Sequence, residues 1–432
     1  MFLSLFRKNK VFSNAGWIIG CKVCKAFLMF ITTMITARYL GVSNYGLISY
    51  AASIVNFAVP VMRLGLDSIL VREIVVKPEK EGETLGTAIL LNIASSILCI
   101  IGVTSFAAIA NRGEKDTILV CFCYSLLLLF QAIEIIYYWF QAKLLAKFSA
   151  MAMLFSYIFI AVIQFILILK KVNIYWFALS HSIDFLFIAI FLLIIYKRLN
   201  GIHLSFSFTR AKELLNIGKY YIISTLMVRI YVNTGRIMLK LMCGNEETGI
   251  YSAAITCAEM TSFVFAAIID SMRPIIFESK EKNKEAFNQK MSQLYSIIFY
   301  FSLVQCVFIT LFAPLIIRIM YGTSYNPAIS VLQVVVWYTT YSYFGVVRDI
   351  WILSENKQKY LWRINLLGAI VNIVLNFVFI PLLGAMGAAI VALVTQIFNN
   401  VIVGYILHPI RPNNSLMLKG LNPKYIIKML KH

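Results

Sequence analysis

The sequence predicts an all-α polytopic membrane protein with about twelve transmembrane helices, arranged as two six-helix bundles in parallel repeat around a central cavity. Three observations predict it. Of 432 residues, 60% are apolar and only 13% charged, with a mean hydropathy of +0.82. A soluble domain carries roughly a quarter of charged residues, so a soluble enzyme is excluded. Long continuous apolar runs recur along the chain, which excludes a β-barrel built from ten-residue alternating strands. Lys and Arg are also distributed unequally between alternate connections, as in a multi-pass protein.

Apolar stretches of about 20 residues, each able to cross the hydrocarbon core, place spans near 12–37, 45–69, 85–110, 117–140, 150–169, 173–196, 216–242, 249–276, 292–317, 328–352, 361–383 and 385–408. The first is not a cleavable signal: Lys22 and Lys25 lie in its middle, and it ends on Ala37-Arg38-Tyr39-Leu40 without a small-residue cleavage site. Pro60 removes a backbone donor inside the second span and should kink it. The fourth span carries Glu134, and the sixth carries His181 and Asp184, i and i+3, which read as a polar face toward neighbouring helices. The stretch from Lys197 to Asn216 is the longest cytoplasmic connection without a span. It joins an N-terminal bundle, 1–205, to a C-terminal bundle with a basic tail, 206–432.

The eight cysteines are scattered, nearly all within apolar stretches, and form no disulfide framework. Cys21 and Cys24 have redox spacing but read as small apolar side chains within a span. No zinc spacing, phosphate loop or nucleophile elbow is present, so neither a metal nor another cofactor is expected.

Net charge is +20, from 39 Lys and Arg against 19 Asp and Glu. Counted with the adjoining span ends, the N-terminus, every second connection after it and the C-terminal tail hold 26 Lys/Arg, while the alternate connections hold 7. Positive residues are retained on the cytoplasmic side, so both termini are expected there. The tail with Arg411, Lys419, Lys424, Lys428 and Lys431 then lies beside anionic headgroups, and no nucleic acid is needed to explain it.

At an offset of 203 residues, Gly41, Gly46, Ser49, Ala51, Asp67 and Ser68 align with Gly244, Gly249, Ser252, Ala254, Asp270 and Ser271. The offset equals six spans, which returns the second half in the same orientation: a parallel repeat, with the substrate path expected between the halves.

Six cations remain inside spans: Lys22, Lys25, Arg63, Arg229, Arg236 and Arg348. Each costs roughly 2.5–3.5 kcal/mol at mid-span, which marks them as functional candidates. Lys22 and Lys25 are i, i+3, and Arg229 and Arg236 are i, i+7, so each pair shares a helix face. The two helices are equivalent under the repeat. A cavity lined by them suits a polyanion such as phosphate or pyrophosphate, which Arg meets with a fork and Lys with a point charge. Lys22, Lys25, Arg63, Arg229 and Arg236 are therefore the candidate substrate-binding residues, whereas Arg348 beside Asp349 reads as a local structural pair. Asp67 and Asp270, repeat-equivalent and close to Arg63 and Arg273, together with the deeper Glu134 and Glu259, are candidates for gating or ion coupling.

Asn14-Ala15-Gly16-Trp17, then Ala37-Arg38-Tyr39-Leu40-Gly41-Val42-Ser43-Asn44-Tyr45-Gly46, and Leu64-Gly65-Leu66-Asp67 with Val71-Arg72-Glu73 resemble the opening of bacterial polysaccharide biosynthesis flippases. These are the O-antigen and capsule repeat-unit transporters of the multidrug/oligosaccharidyl-lipid/polysaccharide exporter superfamily. Gly249-Ile250-Tyr251-Ser252-Ala253-Ala254 looks like the family's second copy of that opening. The resemblance implies transfer of an undecaprenyl-pyrophosphate-linked glycan between leaflets of the bacterial inner membrane for surface polysaccharide or lipopolysaccharide biosynthesis, by alternating access and without catalysis. It implies the lipid bilayer, and beside it a repeat-unit polymerase and chain-length regulator, as partners. Two other functions fit less well. A cation-coupled drug exporter of the same superfamily would favour acids in its cavity, and a polytopic polymerase or acyltransferase would carry a larger hydrophilic loop.

Overall fold

The computed structural model describes the backbone of residues 2–199 and 201–423, with side chains from Gly20 onward except at a few positions, Lys22 among them. The expected tail residues Lys424, Lys428 and Lys431 lie outside the described residues. The chain forms two compact units, Met1–Arg229 and Ile230–His432. The first contains α1 (Phe2–Met62), α2 (Leu70–Val76), α3 (Glu81–Ala110), α4 (Lys115–Ser125), α5 (Leu127–Glu134), α6 (Tyr137–Ala142), α7 (Ala146–Leu169), α8 (Ile174–Arg198) and the start of α9 (Phe208–Cys243). The second holds the rest of α9, α10 (Asn245–Glu259), α11 (Ser262–Lys282), α12 (Lys284–Tyr321), α13 (Ala328–Val335), α14 (Tyr338–Ser354), α15 (Leu361–Ile397), α16 (Val403–Ile406) and α17 (Arg411–Gly420). No strand occurs among the described residues. The fold is an all-α polytopic membrane fold.

At about 1.5 Å per residue, the 61 residues of α1 would extend to about 90 Å, three times the hydrocarbon core. The chain avoids this with a break at Gly41 (φ 71, ψ 173). That conformation is open essentially only to glycine. Gly244, its partner at the 203-residue offset, starts α10 with nearly the same angles, φ 90 and ψ −172. The glycine identity in the repeat thus answers a backbone demand that recurs in both units. No neighbouring atom would meet a Cβ at either position, so conformation rather than space requires the glycine.

By length and composition, seven described helices can cross a membrane, and the pair α10 with α11, bent by 41°, makes an eighth. Two of the seven, Phe27–Met62 and Gln358–Ile406, contain glycine breaks, at Gly41 and Gly384, and so correspond to two expected spans apiece. The expected spans at 216–242 and 328–352 are helical but fall short of that test. Four cations, at Lys219, Arg229, Arg236 and Lys240, interrupt the 216–242 part of α9, and α14 has only 17 residues after the break that separates it from α13.

The structure divides the chain within α9, later than the connection at 205/206 where the sequence suggested a boundary. The reason is that the connection is pinned to the first unit. Ser205 N donates to Gly82 O at 3.3 Å and Ser207 N to Thr87 Oγ1 at 3.0 Å. A Cβ at Gly82 would come within 2.3 Å of His203 O, so only glycine lets the connection lie against α3.

Each unit has a buried core. In the first, Leu66, Leu70 and Ile74 pack with Ile136, Phe140 and Leu192; in the second, Ile269, Met291, Leu294, Val347, Trp351 and Met417 do so. Outward faces are strongly apolar: Leu98 and Leu311 are each 70% exposed and Leu382 74%. Such residues face lipid, where exposure of aliphatic side chains carries no cost.

Candidate functional site

In the first unit the intramembrane charges form two groups. Lys25, on the first segment of α1, holds its ammonium 5.6 Å from the centroid of the Tyr157 ring on α7, a cation–π contact. The adjacent Ser156 places its hydroxyl 2.9 Å from Asp184 Oδ1 and 2.8 Å from the Asp184 carbonyl. Lys25 and Asp184 are within electrostatic range of each other. The neighbouring His181 packs on Tyr124 at a tilt of 40°, with centroids 4.9 Å apart. The Lys22 side chain lies outside the described residues.

The second group sits where α1 ends. Arg63 donates to Glu134 Oε2 at 3.0 Å and to Tyr138 Oη at 3.3 Å, with the Arg63 and Glu134 side chains 19% and 14% exposed. Asp67, in the short turn Leu66–Ser68, is within range of both Arg63 and Tyr138. One expected substrate-binding cation and two expected gating acids are thus brought together. As the structure stands, Glu134 neutralises Arg63.

In the second unit, Arg236 on α9 is half-buried, and its Nε is fully enclosed with no hydrogen-bond partner among the described residues. The Arg236 charge reaches Tyr251 and Tyr338, and both tyrosines also lie in the field of Glu259. Glu259 ends α10, is exposed, and accepts a hydrogen bond from Tyr338 Oη. Arg229, half-buried two turns earlier on α9, is the last residue of the first unit. Asp270 is 65% exposed and bonded to Arg273 at 3.2 Å, one turn on. Asp67 and Asp270 therefore share a position in the repeat but not an environment: one lies in a turn, the other on an exposed helix face.

Arg348 is a local structural pair, as its sequence position suggests, and its surroundings extend further. It is 5% exposed and donates to Asp349 Oδ1 at 2.9 Å, to the Asn399 carbonyl at 2.9 Å and to Asn400 Oδ1 at 2.9 Å. Asn399 and Asn400 lie in a π-helical turn, Phe398–Ile402. Such a turn frees backbone carbonyls for other donors, and Arg348 uses one.

A further charge cluster was not visible in the sequence. Arg210, in the first turns of α9, is 1% exposed and donates to Glu73 at 2.7 Å, to Glu213 at 2.7 Å and to Thr84 Oγ1 at 3.0 Å. Its hydrogen bond holds the Glu213 carboxyl below its ordinary value. Glu81, also 1% exposed, binds Lys143 at 2.5 Å and accepts from the Trp139 indole. In the sequence Arg210 and Lys143 count as loop cations; Glu213 is only three residues from Arg210, but Glu73, 137 positions away, and the Glu81 partner of Lys143 are too distant along the chain to signal the pairing. No group of three or more metal-ligating His, Cys, Asp or Glu residues is found among the described residues.

Residues 11–280 match the family described as polysaccharide biosynthesis protein. No curated protein matches the sequence. Among solved structures, the chain is similar to the lipid II flippase MurJ in an inward closed conformation, at 14% identity and TM-score 0.73, covering 96% of this chain and 93% of that one. An inward-facing multidrug resistance MATE family transporter of the MOP superfamily matches at 16% identity and TM-score 0.65, covering 92% and 94%. A MOP superfamily transporter from Pyrococcus furiosus, reported with a binding pocket of reverse polarity, matches at 16% identity and TM-score 0.62, covering 95% and 96%. These likenesses show the fold.

Proposed function

Since the chain belongs to the polysaccharide biosynthesis protein family, we propose that it is a flippase, moving undecaprenyl-pyrophosphate-linked oligosaccharide repeat units of an O-antigen or capsule from the cytoplasmic to the periplasmic leaflet by alternating access. The bacterial inner membrane is its site, with both termini cytoplasmic as the Lys/Arg distribution argues. One observation carries the chemistry: the enclosed, unpartnered Nε of Arg236. A buried donor without an acceptor is costly, roughly 1–3 kcal/mol, and a phosphate oxygen would satisfy it. In this reading Lys22, Lys25, Arg229 and Arg236 contact the anionic headgroup along its path. Arg63 joins them when phosphate displaces Glu134. Glu134, Glu259, Asp67 and Asp270 then serve gating or ion coupling, Glu134 by recapturing Arg63 after release.

Deleting the gene should leave lipid-linked repeat units in the cytoplasmic leaflet and abolish long surface glycan. Full-length surface polysaccharide in a deletion strain with no other flippase would overturn the reading. The likeness to a multidrug resistance transporter favours a second reading, export of small cations. It predicts increased drug susceptibility of the same strain with its glycan intact.

A further inference from the structure

The first unit contains a broadly open cavity of about 390 Å³ whose lining includes none of the charges discussed so far, at the lower end of the range of small-molecule sites, roughly 300–1,000 Å³. It lies where the turn at Gly41 meets the turn between α7 and α8, and Tyr39, Asn44, Lys171, Asn173 and Tyr175 line it. Both turns belong to the connections poor in Lys and Arg. With the termini cytoplasmic, they lie on the periplasmic side.

The lining is held rigid. Tyr39 Oη donates to the Val172 carbonyl at 3.0 Å, and the Tyr39 ring packs on Phe177 with centroids 5.4 Å apart. Tyr175 Oη donates to Asp116 at 2.6 Å. The two rings are thereby fixed as walls with their hydroxyls already committed. The Asn44 and Asn173 amides are exposed, and no partner within the protein is described for either, so their hydrogen-bonding capacity is open.

Lys171 supplies the cationic group of the lining. It ends α7 in the left-handed conformation, φ 49. Its N–H bonds to Ile168 O at 3.0 Å, and Val172 N to Leu167 O at 3.3 Å, closing a Schellman-type cap. Glycine is the usual residue there, because a side chain is strained at that φ. Leu64, Leu144 and Asn356 also take a positive φ in this chain, so the conformation alone assigns the lysine no role; its place in the lining does.

Two fixed aromatic walls, two open amides and one ammonium suit a sugar: C–H faces lie on the rings, hydroxyls meet the amides, and a carboxylate or hydroxyl meets the ammonium. A phosphate site would instead gather several cationic or backbone donors. The geometry points to a saccharide subsite that receives the glycan part of the cargo on the periplasmic side, uronic acids above neutral sugars. Its biological sense rests on the flippase reading, but its binding does not.

The test uses the full chain in nanodiscs, titrated with glucuronic acid, N-acetylglucosamine and inorganic phosphate and followed by ligand-detected NMR. Wild-type protein should bind both sugars, glucuronic acid the more tightly, and phosphate at least tenfold more weakly. Asn44→Ala should weaken both sugars severalfold. Lys171→Gly should weaken glucuronic acid at least fivefold while raising the melting temperature, because it relieves the cap; a merely structural lysine gives the second change without the first. No sugar binding by the wild type, equal affinities in all three proteins, or binding of phosphate alone would overturn the subsite. Any of those results leaves the flippase reading standing, since that is judged separately by glycan export in the deletion strain.

Discussion

Two intramembrane arginines of the second unit illustrate how partners decide the role of a charge. Arg348 has every neighbour it needs, with three acceptors at 2.9 Å; Arg236 has a buried Nε and no acceptor for it. Arg348→Ala should lower membrane protein abundance and cost about 3 kcal/mol, because charged hydrogen bonds are worth about 1.5–3 kcal/mol each and their removal strands the Asn399 and Asn400 oxygens. Arg348→Lys should not rescue it, since one ammonium cannot span the fork. Arg236→Ala should leave abundance unchanged and abolish transport, with surface glycan and protein level measured together. Arg236→Lys should retain part of the transport if charge alone matters. At this scale the sequence identified which cations are unusual but not which are satisfied. Arg63 and Glu134 lie 71 positions apart, and Arg348 meets Asn400 across 52; nothing local in the chain records either meeting.

Elements were legible where hydrophobicity or backbone conformation is at stake. The apolar runs gave the helices, and the glycine identity at the 203-residue offset anticipated two turns with matching backbone angles. Gly41→Ala and Gly244→Ala should each lower the melting temperature, by the equivalent of about 1–3 kcal/mol, because the cost is conformational in both and neither Cβ meets an atom. A marked difference between the two would contradict equivalent turns. The attachment of the connection to α3 was not legible, because Ile202-His203-Leu204-Ser205-Phe206-Ser207 mixes apolar and polar residues and nothing in it names Gly82 or Thr87 as a partner. Its anchor is Arg210, buried among acids. Glu213 has a depressed carboxyl pKa, so its contribution to stability is complete above the ordinary value of 4.5 and is lost as pH falls through the lower folded value. The melting temperature gap between wild type and Glu213→Gln should accordingly be constant near neutrality and close on acidification below pH 4.5. A gap that does not narrow at all on acidification would place the effect elsewhere.

For the whole molecule, an all-α polytopic chain follows from composition and span number, and the structure divides it into two compact units. The exact division does not follow from the sequence, because α9 continues through it. Membership of the polysaccharide biosynthesis family and the intramembrane cations together motivate one claim: that a lipid-linked, anionic glycan crosses the bilayer past Arg236. Its most direct test is reconstitution of the full chain in liposomes carrying undecaprenyl-pyrophosphate-linked saccharide in the inner leaflet, with outer-leaflet appearance followed by a membrane-impermeant glycosidase. The account predicts protein-dependent appearance of the glycan that is lost in Arg236→Ala at equal reconstitution. Transfer by the variant at the wild-type rate, or none by the wild type, would contradict it.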